Sequence, residues 1–250
     1  MPDEAPVDHR FPGGAAFALR TIRHGHFWFG HRERIILAEL ARSLEGRPSP
    51  SLLEIGCGDG AVLARMPPRW STLGVDDRWE DLLLARRSGV RSVAAADGGA
   101  LPFSARFDAV CLFDVLEHVR DDAGLLDSAV SRVARDGFVI ATVPAGPSLW
   151  SAADRYAGHY RRYSTRALRA LFERCGLRVT ALYPFFRALW LPARVNALRG
   201  DRREIHDVAR EYSVHPVFNR ILTVVLRLEH ALFGRSRLGR GTSLMAVGRR

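Results

Sequence analysis

The 250-residue chain is 47% hydrophobic and 26% charged, which are globular proportions and exclude a disordered, collagen-like or coiled-coil protein. All 37 basic residues are arginine and the net charge is +10, so a lysine-bearing phosphate loop and a Schiff-base lysine are excluded. Three cysteines, none of them in a Cys-x-x-Cys pair, exclude a disulfide framework.

The first fifty residues are predicted to form a helical lid. Apolar residues recur at helical spacing between Ile22 and Leu44, and the proline-containing segment 47–50 ends the pattern. The start of the chain carries acid where a signal peptide carries base, and no apolar run approaches the roughly 18 residues that cross a membrane. We therefore expect a cytoplasmic protein without a transmembrane segment.

Short apolar runs alternate with helical stretches between residues 51 and 143. Helices are expected near 60–66, 79–88 and 122–134. This alternation predicts an α/β fold in which a parallel sheet carries helices on both faces. The expected strands are Leu52–Ile55, Thr72–Val75, Val93–Ala96, Phe107–Phe113 and Phe138–Val143.

The last third of the chain adds one helix–strand unit and a helical cap. The unit is expected over 165–175 and 177–183, and Thr242–Val247 is the expected last strand. Between them, an amphipathic aromatic and arginine-rich stretch indicates cap helices, which could also form a homodimer interface. The predicted domains are a lid at 1–50, a core at 51–184, a cap at 185–240 and a final core strand within 241–250.

A glycine-rich turn directly after the first strand is the sharpest motif. Gly56, Gly58 and Gly60 alternate there and precede a predicted helix. Glycine permits a tight turn and lets a ligand lie against bare backbone, while a helix N-terminus favours an anionic group. Gly56, Gly58 and Ala61 also fit the dinucleotide fingerprint G-x-G-x-x-G/A. The turn alone is therefore compatible with a nicotinamide dinucleotide or with another adenosine cofactor.

Carboxylates follow the second and third predicted strands. Asp76 ends the second strand and is followed by Asp77, and Asp97 stands where the third strand should end. A carboxylate at the tip of the second strand can accept hydrogen bonds from both hydroxyls of a ribose. This pattern also fits either cofactor, and Asp76 could instead be a plain turn residue.

Four motifs in order resemble the class I S-adenosylmethionine-dependent methyltransferases, in the branch with small-molecule acceptors. They cover Leu52 to Val143 and continue more weakly on both sides. The resemblance implies a Rossmann-like, seven-stranded, mostly parallel sheet whose last strand is antiparallel. The motifs are Glu54–Gly60, Gly74–Asp76, Asp97–Phe103, and Phe107–Val110 followed by Val115–Val119.

The same resemblance implies a set of cofactor contacts. Glu54 and the glycine turn would hold the methionine part of S-adenosylmethionine. Asp76 would bind the ribose, Asp97 the adenine amino group, and the Gly98 backbone an adenine ring nitrogen. Arg34 of the lid helix would bind the cofactor carboxylate, as an arginine of that helix does in related enzymes. The full predicted set is Arg34, Glu54, Gly56, Cys57, Gly58, Gly60, Asp76, Asp77, Asp97, Gly98 and Phe113.

Polar residues after the fourth strand are the first candidates for chemistry. Glu117 and His118 follow Asp114 there, and His118 could serve as a general base or merely brace the next helix. The spacing is similar to the Glu-x-x-Glu-His of ubiquinone-biosynthesis O-methyltransferases and small-RNA 3′-end methyltransferases, in which that cluster helps hold a divalent metal. Asp114 replaces the first glutamate here, so whether a metal binds stays open.

A second polar segment runs from Trp150 to Ser164 after the fifth strand. It resembles the Trp-Ser-x-x-Asp … Gly-His-x-Arg-Arg-Tyr segment of a bacterial methyltransferase subgroup. His159 and Tyr160 are candidate catalytic residues, with His159 as a second base or metal ligand. Arg161 or Arg162 could clamp a substrate anion, or the arginines could neutralise Asp154.

The predicted function is methyl transfer to a small metabolite, which could be anionic, at oxygen, nitrogen or carbon. An NAD(P)-dependent oxidoreductase, a nucleic-acid methyltransferase and a catalytically silent cofactor-binding scaffold are the alternatives. The charge of +10 favours anionic partners, but the complete absence of lysine fits a codon bias toward arginine better than selection for a ligand. No Asp/Asn-Pro-Pro-Tyr motif occurs, so no nucleic-acid partner is expected.

Overall fold

A seven-stranded sheet forms the centre of the molecule in the computed structural model, which describes residues 25–198 and 214–250. The strand order is β3-β2-β1-β4-β5-β7-β6, and β7 runs antiparallel to both of its neighbours. The prediction of a mostly parallel sheet with an antiparallel last strand is therefore confirmed. The strands are β1 (Ser51–Ile55), β2 (Ser71–Asp76), β3 (Val93–Ala95), β4 (Phe107–Phe113), β5 (Val133–Pro144), β6 (Arg178–Phe185) and β7 (Ser243–Arg249).

Helices cover both faces of this sheet. One apolar core lies between the sheet and α3 and α5, and the other lies between the sheet and α1, α2 and α7. Alternate side chains of β4 enter the two cores, because successive residues of a strand point to opposite faces. The helices are α1 (Phe27–Ser43), α2 (Trp79–Arg87), α3 (Asp122–Ser131), α4 (Ala152–Tyr156), α5 (Thr165–Arg174), α6 (Trp190–Leu198) and α7 (Pro216–Phe233).

The register of the parallel strands places the carboxyl ends of β1, β2 and β4 next to one another. Ile55 at the end of β1 pairs with Val75 of β2 and Leu112 of β4. The residues that follow, Gly56, Asp76 and the turn after Phe113, therefore lie side by side at one edge of the sheet.

The predicted helix over 60–66 is wrong in extent. Only one 3-10 turn forms there, at Leu63–Arg65. Pro67 and Pro68 cannot donate backbone hydrogen bonds, and the residue before a proline favours extended backbone; Met66 is indeed extended. The glycine turn therefore does not open into a regular helix, and no helix N-terminus is available to it.

The helix predicted over 122–134 ends at Ser131, and β5 begins earlier than predicted, at Val133. The sheet competes for this backbone, because the carbonyl of Arg132 accepts a hydrogen bond from Phe107 N at 2.8 Å. Long-range pairing thus overrides the local helical pattern.

The lid and cap predictions fall partly outside the described residues. The described part of 1–50 contains α1, and the described part of 185–240 contains α6 and α7. Asn219 of α7 joins them to α1, since its side-chain oxygen accepts from Phe27 N and its nitrogen donates to Gly25 O, both at 2.7 Å.

The outer face of α7 is apolar and exposed. Its side chains at Phe218, Ile221, Leu228 and Leu232 are more than half exposed. The homodimer through the C-terminal helices stays a prediction that this exposure permits. Within the described residues, none of the helices combines the length and the apolar character that a bilayer crossing requires.

Candidate active site

A cavity of about 470 Å³ opens where the tips of β1 and β4 meet α1 and the segment after β5. Eight of the predicted site residues line it: Glu54, Gly56, Cys57, Gly58, Phe113, Glu117, His118 and His159. Eight predicted residues thus lie together at one cavity, and their functions stay a prediction.

The glycine turn forms one part of the wall. Gly56 has a φ of +70°, and a Cβ there would lie 2.6 Å from a methyl of Val115, so only glycine fits. Gly58 also has a positive φ, of +52°, but no atom lies within 4 Å of the place a Cβ would occupy. Gly58 thus presents bare backbone to the cavity. Burial raises the pKa of the adjacent Cys57 thiol, with the charge of Glu54 adding to the effect.

Gly60, which was predicted with the cofactor set, has a different environment. A Cβ at this position would lie 2.6 Å from Val90 and 2.9 Å from Ala85. Gly60 is buried and does not line the cavity. Close packing against the end of α2 therefore explains why this position is a glycine.

Asp76 holds the glycine turn in place. Its carboxylate accepts hydrogen bonds from Gly58 N at 2.8 Å and from Arg78 N at 3.0 Å. Burial raises its pKa above the ordinary value, although these two backbone hydrogen bonds oppose the rise. Asp76 is at the tip of β2, as predicted, and Asp77 next to it is exposed.

The predicted adenine contacts lie beyond the cavity lining, at the end of β3. Asp97 is exposed, and its carboxylate accepts from Gly99 N at 2.8 Å. A Cβ on Gly98 would lie 2.4 Å from Ile55, and the Gly98 carbonyl accepts from Ser128 Oγ at 2.8 Å. These contacts fix the backbone after β3 against the end of β1 and against α3.

An arginine of α1 does enter the cavity, but it is Arg32 rather than the predicted Arg34. Arg32 Nε donates to Asp114 Oδ2 at 2.5 Å, and its Nη2 donates to Phe113 O at 3.0 Å. Arg34 does not line the cavity and lies beside His31, with 3.5 Å between Nη1 and Nδ1. Because helical phase separates the two arginines by about 200°, sequence alone could not select between them.

Asp114 adopts a φ of +59° at the end of β4, a left-handed conformation that costs energy outside glycine and is concentrated at functional sites. Its backbone N–H donates to Thr142 O at 2.9 Å, and Thr142 Oγ1 donates to its side chain at 3.1 Å. Together with Arg32, these bonds occupy both carboxylate oxygens of Asp114.

Glu117 and His118 lie on the 3-10 turn Leu116–His118 that follows. Glu117 is only 1% exposed, and neither of its carboxylate oxygens has a hydrogen-bond partner among the described residues. Burial raises the pKa of Glu117 well above its ordinary value, and the charge of Asp114 raises it further. Burial and the nearby His159 lower the pKa of His118 to about 4.

A buried ion-pair network holds His159 next to His118. Asp154 is 1% exposed, and its Oδ1 accepts from His159 Nδ1 and from Arg162 Nε, both at 2.8 Å. Burial opposes ionisation of Asp154, but these hydrogen bonds hold its pKa below the ordinary value. The His118 and His159 rings meet edge to face, with 4.7 Å between centroids.

Asp154 and Arg162 both line the cavity. Sequence analysis considered Arg162 as a possible anion clamp and Asp154 only as a partner of the arginines. The sequence carried a local signal for Asp154, because Ser151 and Asp154 form a capping box at the start of α4. The bond from His159 to Asp154 spans five residues and depends on the turn between them. Tyr160, predicted to be catalytic, does not line the cavity; its hydroxyl accepts from Arg120 Nε at 3.2 Å.

The arginines do not present a free anion clamp. Arg162 pairs with Asp154, and Arg161 pairs with Asp122 at 2.8 Å. The other arginines that line the cavity, Arg32 and Arg78, also contact carboxylates. The arginines of this segment therefore neutralise carboxylates. An anionic acceptor stays a prediction, because each described arginine that lines the cavity already contacts a carboxylate.

The metal-ligand geometry differs from the spacing that suggested it. One ligand atom each from Glu117, His118 and His159 lie within 4.8 Å of one another. Asp114, the first residue of the sequence motif, is not in this group, and Arg32 and Thr142 hold its oxygens.

Comparison with known proteins gives a family match and a fold match. A family profile described as "Methyltransferase domain" matches residues 28–182, well over half of the chain. No curated protein matches the sequence at a significant level.

Several solved structures share the fold at low identity. A SAM-dependent methyltransferase from Thermotoga maritima aligns with a TM-score of 0.56 and 16% identity, over 92% of each chain. One from Mesorhizobium loti gives 0.56 and 17%, over 85% of this chain and 96% of that one. One from Archaeoglobus fulgidus gives 0.54 and 17%, over 87% and 94%. At such identities the likeness concerns the fold.

Proposed function

The chain belongs to the family of methyltransferase domains, and from that premise we propose that it transfers a methyl group from S-adenosylmethionine to a small-molecule acceptor. One observation carries the proposal. A single cavity is lined both by the bare glycine turn after β1 and by the Glu117, His118 and His159 side chains after β4 and β5. The first feature suits the cofactor, and the second suits a reacting acceptor.

The residues present fit the cofactor. Gly58 leaves open the space that a Cβ would fill, so a ligand can lie directly against the backbone. When bound, S-adenosylmethionine supplies the activated methyl group. By the family resemblance, Glu54 and the glycine turn would hold its methionine part and Asp76 its ribose. Asp97 and Gly98 would meet the adenine. The assignment of Arg34 to the cofactor carboxylate stays a prediction, because Arg32, the arginine of α1 at the cavity, is held by Asp114 and Phe113 O.

The chain's own contribution to the reaction is alignment and proton handling. Methyl transfer is an in-line displacement, so the acceptor must be held in one orientation. A hydroxyl or amine acceptor must also lose its proton. His118 and His159 lie together at the cavity, and Asp154 fixes the His159 ring through Nδ1. This cluster is the part of the site that activates the acceptor.

A small acceptor is favoured over a nucleic acid. The cavity volume of about 470 Å³ is within the usual range for small-molecule sites. Nucleic-acid binding needs arginines that are free to neutralise phosphates, whereas Arg32, Arg78 and Arg162 at this cavity all contact carboxylates.

Calorimetry with S-adenosylmethionine and, separately, with NAD tests the cofactor. We expect S-adenosylmethionine to bind and Gly58→Ala to weaken its affinity at least tenfold, because the new methyl group projects into the cavity. Gly89→Ala is the matched control, since Gly89 also has a positive φ and open space around its Cβ position but does not line the cavity. Binding of NAD in place of S-adenosylmethionine would refute the proposal.

Transfer of a radiolabelled methyl group to a panel of small metabolites tests the acceptor side. We expect His118→Ala and His159→Ala to lower turnover by about tenfold or more, in the range of a lost general base. Their affinity for S-adenosylmethionine should stay within about twofold, because neither residue belongs to the glycine turn. Equal loss of cofactor affinity would show that the histidines act on the fold rather than on the acceptor.

A further inference from the structure

We infer that Glu117, His118 and His159 form a binding site for a divalent transition-metal ion at the acceptor side of the cavity. The carboxylate of Glu117 is 1% exposed, and among the described residues no hydrogen-bond donor reaches either oxygen. Burying a carboxylate without a partner is destabilising. Nearby Arg32 does not serve it, because that guanidinium binds Asp114 and the Phe113 carbonyl.

The three side chains are spaced for one ion. A ligand atom from each lies within 4.8 Å of the other two. A metal bound at about 2.1 Å holds its ligands about 3–4 Å apart, so small side-chain rotations bring all three into contact with it. All three residues line the cavity.

Backbone hydrogen bonds hold the ligand-bearing segments together before any ion binds. Tyr160 N donates to Glu117 O at 2.7 Å, which ties the turn after β4 to the residue next to His159. His159 N donates to Asp154 O at 2.9 Å, and His118 N donates to Val115 O at 2.9 Å. The site is therefore organised by the fold.

The outer contacts of the histidines also suit a metal. Asp154 accepts from Nδ1 of His159, which leaves Nε2 with a lone pair for a ligand. Such a carboxylate behind a histidine is the usual support of metal-bound imidazoles. The backbone of Ala157 lies beside the His118 ring and favours its protonated form, and both residues line the cavity.

The ligand chemistry selects the class of ion. Two imidazoles and one carboxylate suit Zn²⁺, Mn²⁺, Co²⁺ or Fe²⁺ rather than Mg²⁺ or Ca²⁺, which prefer all-oxygen sites. Three protein ligands leave positions open toward the cavity, as in catalytic metal sites. The use of those positions rests on the proposed function: a hydroxyl acceptor coordinated there would have a lowered pKa.

The test is metal binding to the full chain after removal of metals with a chelator. We expect calorimetric titration with ZnCl₂ or CoCl₂ to show one site per chain, with Co²⁺ producing the visible absorption bands of nitrogen and oxygen coordination. Glu117→Gln, which preserves shape, and His159→Ala should each weaken the affinity at least tenfold. Asp154→Asn should weaken it by about tenfold through the His159 ring. His215→Ala, at an exposed histidine outside the cavity, should leave it unchanged.

Thermal melting and a titration with S-adenosylmethionine distinguish a metal site from a purely structural cluster. Metal-free Glu117→Gln should melt no lower than the metal-free wild type, because the substitution removes no hydrogen bond. Addition of Zn²⁺ should not raise the melting temperature of Glu117→Gln. Equal Zn²⁺ affinity in Glu117→Gln, His159→Ala and wild type, or no binding below millimolar, overturns the site. S-adenosylmethionine is titrated into the same samples to separate failure of the metal site from failure of the proposed function. If S-adenosylmethionine binds and the metal does not, only the metal site is refuted.

Discussion

Asp76 illustrates how one side chain can serve both the fold and a ligand. Its two oxygens accept from Gly58 N and Arg78 N, so the carboxylate shapes the glycine turn. Carboxylate oxygens have further lone pairs and can still meet the hydroxyls of a ribose. Loss of the side chain should therefore affect both cofactor affinity and stability.

We predict that Asp76→Ala weakens S-adenosylmethionine binding by about tenfold or more and lowers the melting temperature. The loss corresponds to hydrogen bonds to a charged group, worth roughly 1.5–3 kcal/mol. Asp76→Asn, which keeps one acceptor oxygen, should lose less of both. Calorimetry and thermal melting provide the measurements, with Glu80→Ala, at an exposed carboxylate of α2, as the control. Unchanged affinity in Asp76→Ala would remove Asp76 from the cofactor site.

Residues close to the strand tips were predictable, whereas their partners were not. Gly56 and Gly58 stand out because a turn after an apolar strand has a local signature. Glu117, His118 and His159 stand out by residue type. The contact of Arg32 with Asp114 joins residues 82 apart in the chain, which no local pattern encodes. The bond between Asp154 and His159 depends on the turn between these two residues, which residue type alone does not reveal.

At the scale of elements, α1 reaches the cavity because α7 holds its first turn. Asn219 accepts from Phe27 N and donates to Gly25 O, both at 2.7 Å. The first turn of α1 also contains Trp28, which lines the cavity and stacks on Phe186 with 5.5 Å between ring centroids. The contact between α1 and α7 thus positions one wall of the site.

We predict that Asn219→Ala lowers the free energy of unfolding by about 1–3 kcal/mol, since two hydrogen bonds to backbone groups are lost. It should also weaken S-adenosylmethionine binding severalfold, because α1 is less firmly placed. Urea unfolding and calorimetry give the two values. Thr223→Ala on the same helix is the control, as its hydroxyl donates to Asn219 O within α7. Cofactor affinity equal to wild type in Asn219→Ala would show that α1 does not contribute to that site.

The elements were predictable where a strand or helix has an uninterrupted pattern of its own. Phe107–Phe113 was predicted with the bounds that the structure shows, and Trp79–Arg87 within one residue. Prediction failed at 60–66, where Pro67 and Pro68 interrupt the helix, and after Ser131, where pairing with β4 takes over the backbone. Both failures arise where local preference competes with a neighbouring constraint.

For the whole molecule, interior histidines rather than the arginine surplus should govern stability in mild acid. His31 on α1 is 1% exposed. Burial, with a contribution from the charges of Arg34, His230 and Arg227, lowers its pKa from an ordinary 6.5 to about 4. Between these two pH values the unfolded chain binds a proton that the folded chain does not, so stability falls as the pH falls from about 6.5 toward 4.

We predict that His31→Leu, which is apolar and similar in volume, reduces this pH dependence. Between pH 7.5 and 5, His31 alone should cost the wild type about 2 kcal/mol, from a pKa of 6.5 unfolded and about 4 folded. Urea unfolding at both pH values measures the difference. His215→Asn, at an exposed histidine, should keep the wild-type slope. If His31→Leu loses as much stability as the wild type over this interval, His31 takes up its proton without unfolding.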